Sequence, residues 1–144
     1  VQCSQLLKFP KLAEKVCSAL AEKFADNKPD VVVGPAIGGI LVAYETARAL
    51  DVPALFAERQ DGVMTLRRGF VIEPGQKVLV TEDVFATGGS AQEVVELIQG
   101  MGGDVIGDPP LAFGELSMAS ADFCDNIHNA VRPVFLTADP PFDG

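Results

Sequence analysis

Two adjacent carboxylates, Glu82 and Asp83, stand in the segment VLVTEDVFATGGS between an apolar run and a loop of small residues. Gly88 and Gly89 allow backbone N–H groups to approach a phosphate closely, and Thr87 and Ser90 add hydroxyl donors. A helix opening at Ser90 presents partial positive charge to the same anion. Glu82 and Asp83 precede that anion loop by about the length of one pentose and can accept hydrogen bonds from two vicinal hydroxyls. Val84, Phe85 and Ala86 join the carboxylates to the loop, which leaves the Phe85 ring within reach of a ligand. A Thr-Gly-Gly-Ser turn alone is common, and an acidic pair alone is usually a solvated surface feature. Their order, after a buried strand and before an amphipathic helix, is the informative part.

A second glycine-bearing loop, Pro35-Ala36-Ile37-Gly38-Gly39, follows the apolar run Val31-Val32-Val33. It is either a second anion loop or a strand-to-helix turn in which glycine permits tight packing. Two such loops after two strands in one chain favour the ligand reading. Arg59, Arg67 and Arg68 lie in the polar stretch 58–69, which has no lysine. They either neutralise an anionic leaving group or form the solvated edge of a hairpin. His128, the single histidine, stands among polar residues and reads as a surface side chain rather than an acid–base catalyst.

The surrounding pattern is that of alternating strands and helices. Leu12, Val16, Leu20 and Phe24 recur every fourth residue and predict an amphipathic helix ending near Asp26 and Asn27. A buried strand is expected at 30–34, then a helix at 39–50 with Ile40, Tyr44, Ala47 and Leu50 as its buried face, then a strand at 53–57. The 58–69 stretch reads as a loop or a hairpin excursion. Further strands are expected at 70–72, 77–80 and 105–106, with a helix at 90–101 stopped by Gly102 and Gly103. After Asp108-Pro109-Pro110 the pattern fades to a helix at 111–129, a strand at 134–137 and a proline-rich tail. The fold class is therefore α/β, a mostly parallel central sheet with helices on both faces and ligands at the carboxyl ends of the strands.

The 144 residues allow a single domain with a real core, 1–144. A formal charge of −9 opposes a general attraction to nucleic acid or anionic lipid, so a phosphorylated ligand must be held by local features. Cys3, Cys17 and Cys124 are odd in number and widely spaced, which fits reduced thiols better than a disulfide framework or a zinc site. No apolar stretch approaches the roughly 20 residues of a membrane span, and no basic region followed by an apolar run opens the given sequence, so secretion is not expected. A cytoplasmic protein without membrane or nucleic-acid partners is expected. Val1-Gln2-Cys3 reads like the middle of a longer chain, so an N-terminal truncation is expected too.

The combination in 78–90 resembles the phosphoribosyl-pyrophosphate (PRPP) signature of the type I phosphoribosyltransferases. The resemblance runs through about residue 107 and is nearest to orotate phosphoribosyltransferases. VVVGPAIGGILVAYETARAL is similar to that family's strand, pyrophosphate loop and following helix, and FAERQDGVMTLRRGF to its mobile catalytic loop. The resemblance implies that Pro35 to Gly39 and Val84 to Ser90 bind PRPP, and that Glu82, Asp83, Arg59, Arg67 and Arg68 serve catalysis. It also implies that Mg²⁺ arrives on the diphosphate and that the chain forms a homodimer. The reaction it implies makes orotidine 5′-phosphate and pyrophosphate from orotate and PRPP. The family's N-terminal hood over the base is incomplete ahead of Val1. A phosphoribosyltransferase for a purine or another nucleobase, and a non-catalytic PRPP-binding regulator, stay open as alternatives.

Overall fold

A computed structural model describes residues 7–83 and 89–106 of the chain. The elements expected at 111–129 and 134–137, the tail, and His128 lie outside the described residues.

Helix α1, Pro10–Phe24, starts with proline in its first turn, where a missing N–H costs nothing. It buries Leu12, Val16, Leu20 and Phe24, the expected stripe, together with Ala13, Cys17 and Ala21. A 3₁₀ turn, Ala25–Asn27, then ends on Lys28 in the left-handed region. Strand β1, Val31–Pro35, is buried at every position, as a central strand covered on both faces must be. Helix α2, Gly38–Leu50, leads to β2, Ala54–Gln60, which turns through Asp61 and Gly62 into β3, Val63–Leu66. Both turn residues have positive φ, 52° and 81°, the conformation that a two-residue hairpin requires. Strand β4, Lys77–Val80, helix α3, Gly89–Gly100, and the short strand β5, Asp104–Val105, complete the described fold.

The sheet order is β3-β2-β1-β4-β5. All pairings are parallel except β2 with β3. Alternation along the strands separates two cores. Val32 and Leu79 face α1 and α2, packing with Leu20, Phe24, Val42 and Ala47. Val31, Val33, Val78 and Val80 face the other side, against Val94, Val95 and Ile98 of α3. The Asp30 carboxylate accepts from the Lys77 N–H at 2.8 Å, and the Asp30 N–H donates to the Lys77 carbonyl at 2.8 Å. This exchange sets the register in which β1 and β4 end together.

Two expectations need correction. Helix α2 buries Gly39, Val42, Ala43, Thr46 and Ala47, while Tyr44 is 63% exposed and Ile40 and Leu50 are only half-buried. Both stripes have helical spacing, but the close approach selects small residues: a methyl on Gly34 of β1 would overlap the Gly39 carbonyl. Residues 70–72 form no strand. Val71 is exposed, Ile72 enters the second core, and Phe70 meets Phe56 edge-on with centroids 5.4 Å apart. Of the two forms expected for the 58–69 stretch, loop or hairpin, the chain takes the hairpin, with β2 running to Gln60.

Candidate active site

Strand order reverses between β1 and β4. From β1 the chain passes through α2 to β2 on one side, and from β4 through α3 to β5 on the other. The carboxyl ends of two such strands open a crevice where ligands of α/β sheets bind. The loop after β1 is Pro35 to Gly39, and the residues after β4 are Thr81, Glu82 and Asp83.

These two segments touch. A methyl on Gly38 would overlap the Asp83 carboxylate, and one on Gly39 would lie 2.8 Å from Pro35 Cδ and 3.3 Å from Glu82 Oε1. The carboxylates therefore lie against backbone that only glycine leaves open. The Ala36 N–H is spent on the Ala57 carbonyl at 2.7 Å, which ties the loop to β2. The N–H groups of Gly38 and Gly39, opening α2, have no partner within their own helix and form an anion-accepting end. Ile37, which follows a cis peptide bond after Ala36, is 85% exposed. On the neighbouring strand end, the Thr81 N–H donates to the Val33 carbonyl at 2.9 Å, while the buried Thr81 Oγ1 has no partner.

Glu82 is 9% exposed. Burial pushes its carboxyl up to about 8, helped by the hydrogen bond and the charge of the Asp83 side chain, against the opposing hydrogen bond from the Asp83 N–H at 3.1 Å. Near neutral pH the pair thus carries a proton that two free carboxylates would not.

Gly89 and Ser90 open α3. Val84, Phe85, Ala86, Thr87 and Gly88 lie outside the described residues. Arg59 stands on β2, Arg67 and Arg68 directly follow β3, and all three are engaged with carboxylates other than Glu82 and Asp83. Arg59 makes two hydrogen bonds to Glu93 of α3, at 2.5 and 2.9 Å. Arg67 and Arg68 lie 3.4 and 3.5 Å from Glu58 Oε1, and the Arg68 guanidinium also covers the Phe56 ring. Glu58 and Glu93 were not visible as site-associated residues in the sequence. Glu93 is 34 positions from its partner, and only the hairpin's docking on α3 brings them together. Among the described residues no group of three or more His, Cys, Asp or Glu side chains could hold a metal, and no helix is long and apolar enough to cross a membrane.

Comparison with known proteins agrees with this geometry. The family model described as the phosphoribosyl transferase domain matches residues 2–108. Orotate phosphoribosyltransferase from Pelotomaculum thermopropionicum is 58% identical over 106 residues, and that from Caldicellulosiruptor bescii 52% over 106; each match covers 74% of this chain and 56% of the relative. The chain thus spans about half the length of these curated relatives. Among solved structures, orotate phosphoribosyltransferase of Mycobacterium tuberculosis in complex with inorganic phosphate superposes with a TM-score of 0.62 at 28% identity, covering 74% of this chain and 61% of the other. Adenine phosphoribosyltransferase from Rhodothermus marinus gives 0.62 at 26% identity, covering 71% and 67%. With an acidic pair and a glycine loop at the switch point of a sheet that superposes on these enzymes, the chain belongs to the phosphoribosyl transferase domain family.

Proposed function

We propose that the chain binds PRPP at the β1–β4 switch point and transfers its phosphoribosyl group to orotate. The observation that supports this reading is the contact between the Gly38-Gly39 turn and the Glu82–Asp83 pair: a diphosphate held on that turn would lie beside carboxyl acceptors for ribose hydroxyls. In this reading the free N–H groups of Gly38 and Gly39 hold the diphosphate, and residues 84–90 with the α3 N-terminus hold the 5′-phosphate. Glu82 and Asp83 accept the vicinal hydroxyls and favour positive charge developing on the ribose. A ring nitrogen of orotate attacks C1 and gives up its proton to solvent, the bond from C1 to the diphosphate oxygen breaks, and pyrophosphate leaves with orotidine 5′-phosphate as the other product. Arg59, Arg67 and Arg68 neutralise the departing pyrophosphate.

Mg²⁺ fits this arrangement as a companion of the diphosphate, keeping several waters and offsetting negative charge in a chain of net −9. The choice of orotate rests on relatives that are more than half identical to this chain over the matched residues. Homodimer formation and a cytoplasmic setting belong to the same proposal, as does the absence of nucleic-acid and membrane partners, which the acidic charge supports.

The pairing of all three arginines with glutamates favours one second reading, a PRPP-binding regulator without chemistry. PRPP with Mg²⁺ is expected to raise the melting temperature, and Asp83→Asn to weaken that rise. No shift at millimolar PRPP refutes the binding site. Pyrophosphate release is then assayed with orotate, uracil and hypoxanthine in turn. Turnover with orotate supports the transferase, turnover with hypoxanthine a purine enzyme, and silence with all three the regulator.

A further inference from the structure

The Arg59–Glu93 pair joins the hairpin to helix α3. Glu93 lies one turn inside α3, and Arg59 lies near the end of β2. Both terminal guanidinium nitrogens are used: Nη2 on Glu93 Oε1, and Nη1 on Glu93 Oε2 with a further 3.5 Å contact to the Gly62 carbonyl. A guanidinium held in this way cannot offer the same fork to a diphosphate. Beside the pair is an open groove of about 380 Å³ between hairpin and helix, lined by Gly62, Val63, Met64 and Leu97 with the pair itself. The hairpin therefore has room to shift there. Val63 at the tip is 63% exposed, whereas Met64 and Ala57 are buried in the second core, so few apolar contacts resist a movement of the tip while the base of the hairpin stays anchored.

We propose that Glu93 is a positioning residue that competes with the diphosphate for Arg59, docking the hairpin on α3 in the empty site and releasing the guanidinium when the ligand binds. This rests on the reading that the hairpin arginines serve the diphosphate. The Arg59 and Glu93 side chains are 46% and 38% exposed, so the pair belongs to the weak class of surface ion pairs. Its release costs up to about fivefold in ligand affinity, and removing Glu93 should recover that factor.

The test is calorimetric titration of PRPP with Mg²⁺ into the wild type, Glu93→Gln, Glu96→Gln, Arg59→Gln and the Arg59→Gln/Glu93→Gln double variant. Glu96 lies on the same helix and lines the same groove, so its substitution removes an equal charge without freeing Arg59. The expected result is binding about three- to fivefold tighter in Glu93→Gln, little change in Glu96→Gln, and no gain from Glu93→Gln once Arg59 is gone. Equal gains from Glu93→Gln and Glu96→Gln, or a gain that survives in the Arg59→Gln background, overturn the proposal. So does unchanged affinity in Glu93→Gln while the wild type binds, which leaves the PRPP site itself standing. Absence of binding in every variant overturns both.

Discussion

Replacing Glu82 with glutamine isolates the consequence of burying a carboxyl beside another. In the unfolded chain Glu82 ionises near its ordinary value of 4.5, whereas in the fold it holds its proton to about 8. Between those values the native state keeps a proton that the unfolded state has lost, so stability is full below 4.5 and falls as the pH rises through 8. Each pH unit in that window is worth about 1.4 kcal/mol, which sets a ceiling of about 5 kcal/mol on the loss. Glutamine has nearly the same shape and cannot ionise. Glu82→Gln should therefore be more stable than the wild type by about 2 to 5 kcal/mol near pH 8.5, and by less than about 1 kcal/mol near pH 5. For a domain of this size that corresponds to a melting point about 6 to 15 °C higher at the alkaline end. Thermal unfolding followed by circular dichroism across this range reads the difference directly. A packing change alone would offset the two proteins equally at every pH, so the widening of the gap is the diagnostic. A gap that stays constant between about pH 5 and 8.5 would show that Glu82 is already ionised at the lower pH, and the burial argument would fail.

Two other substitutions separate the site from the scaffold. Gly38→Ala puts a methyl into the space of the Asp83 carboxylate, so PRPP affinity measured by calorimetry should fall tenfold or more, about 1.4 kcal/mol, with the helical circular dichroism retained. Leu79→Ala empties a fully buried position in the core against α1 and α2, and urea unfolding should show a loss of about 2 to 5 kcal/mol.

Much of the architecture was legible because local chemistry and burial agree. The valines of β1 and β4, the four-residue stripe of α1 and the glycines after β2 and α3 point to an α/β sheet without any knowledge of contacts. The carboxylates and glycine loops were likewise visible as residue types at the ends of strands. Periodicity could not settle which stripe of α2 is buried. Ile40 and Tyr44 are larger than Gly39, Ala43 and Thr46, but where β1 crosses α2 at Gly34 the backbones come too close for a large side chain. The extended look of residues 70–72 was no better a guide, since strand formation needs a partner edge and the chain is there crossing from the hairpin to β4.

The residue pattern alone supplies the parts: an acidic pair after one buried strand, a glycine loop after another, and three arginines in one polar stretch. What those groups meet depends on how distant segments pack. Parallel pairing brings the ends of β1 and β4 side by side, so Gly38 lies against Asp83 across 45 positions of chain, while docking of the hairpin turns Arg59 toward Glu93. The physical reason is that hydrogen-bond register and two-sided burial act between distant segments, and no local pattern of residue types encodes which distant carboxylate a guanidinium will reach.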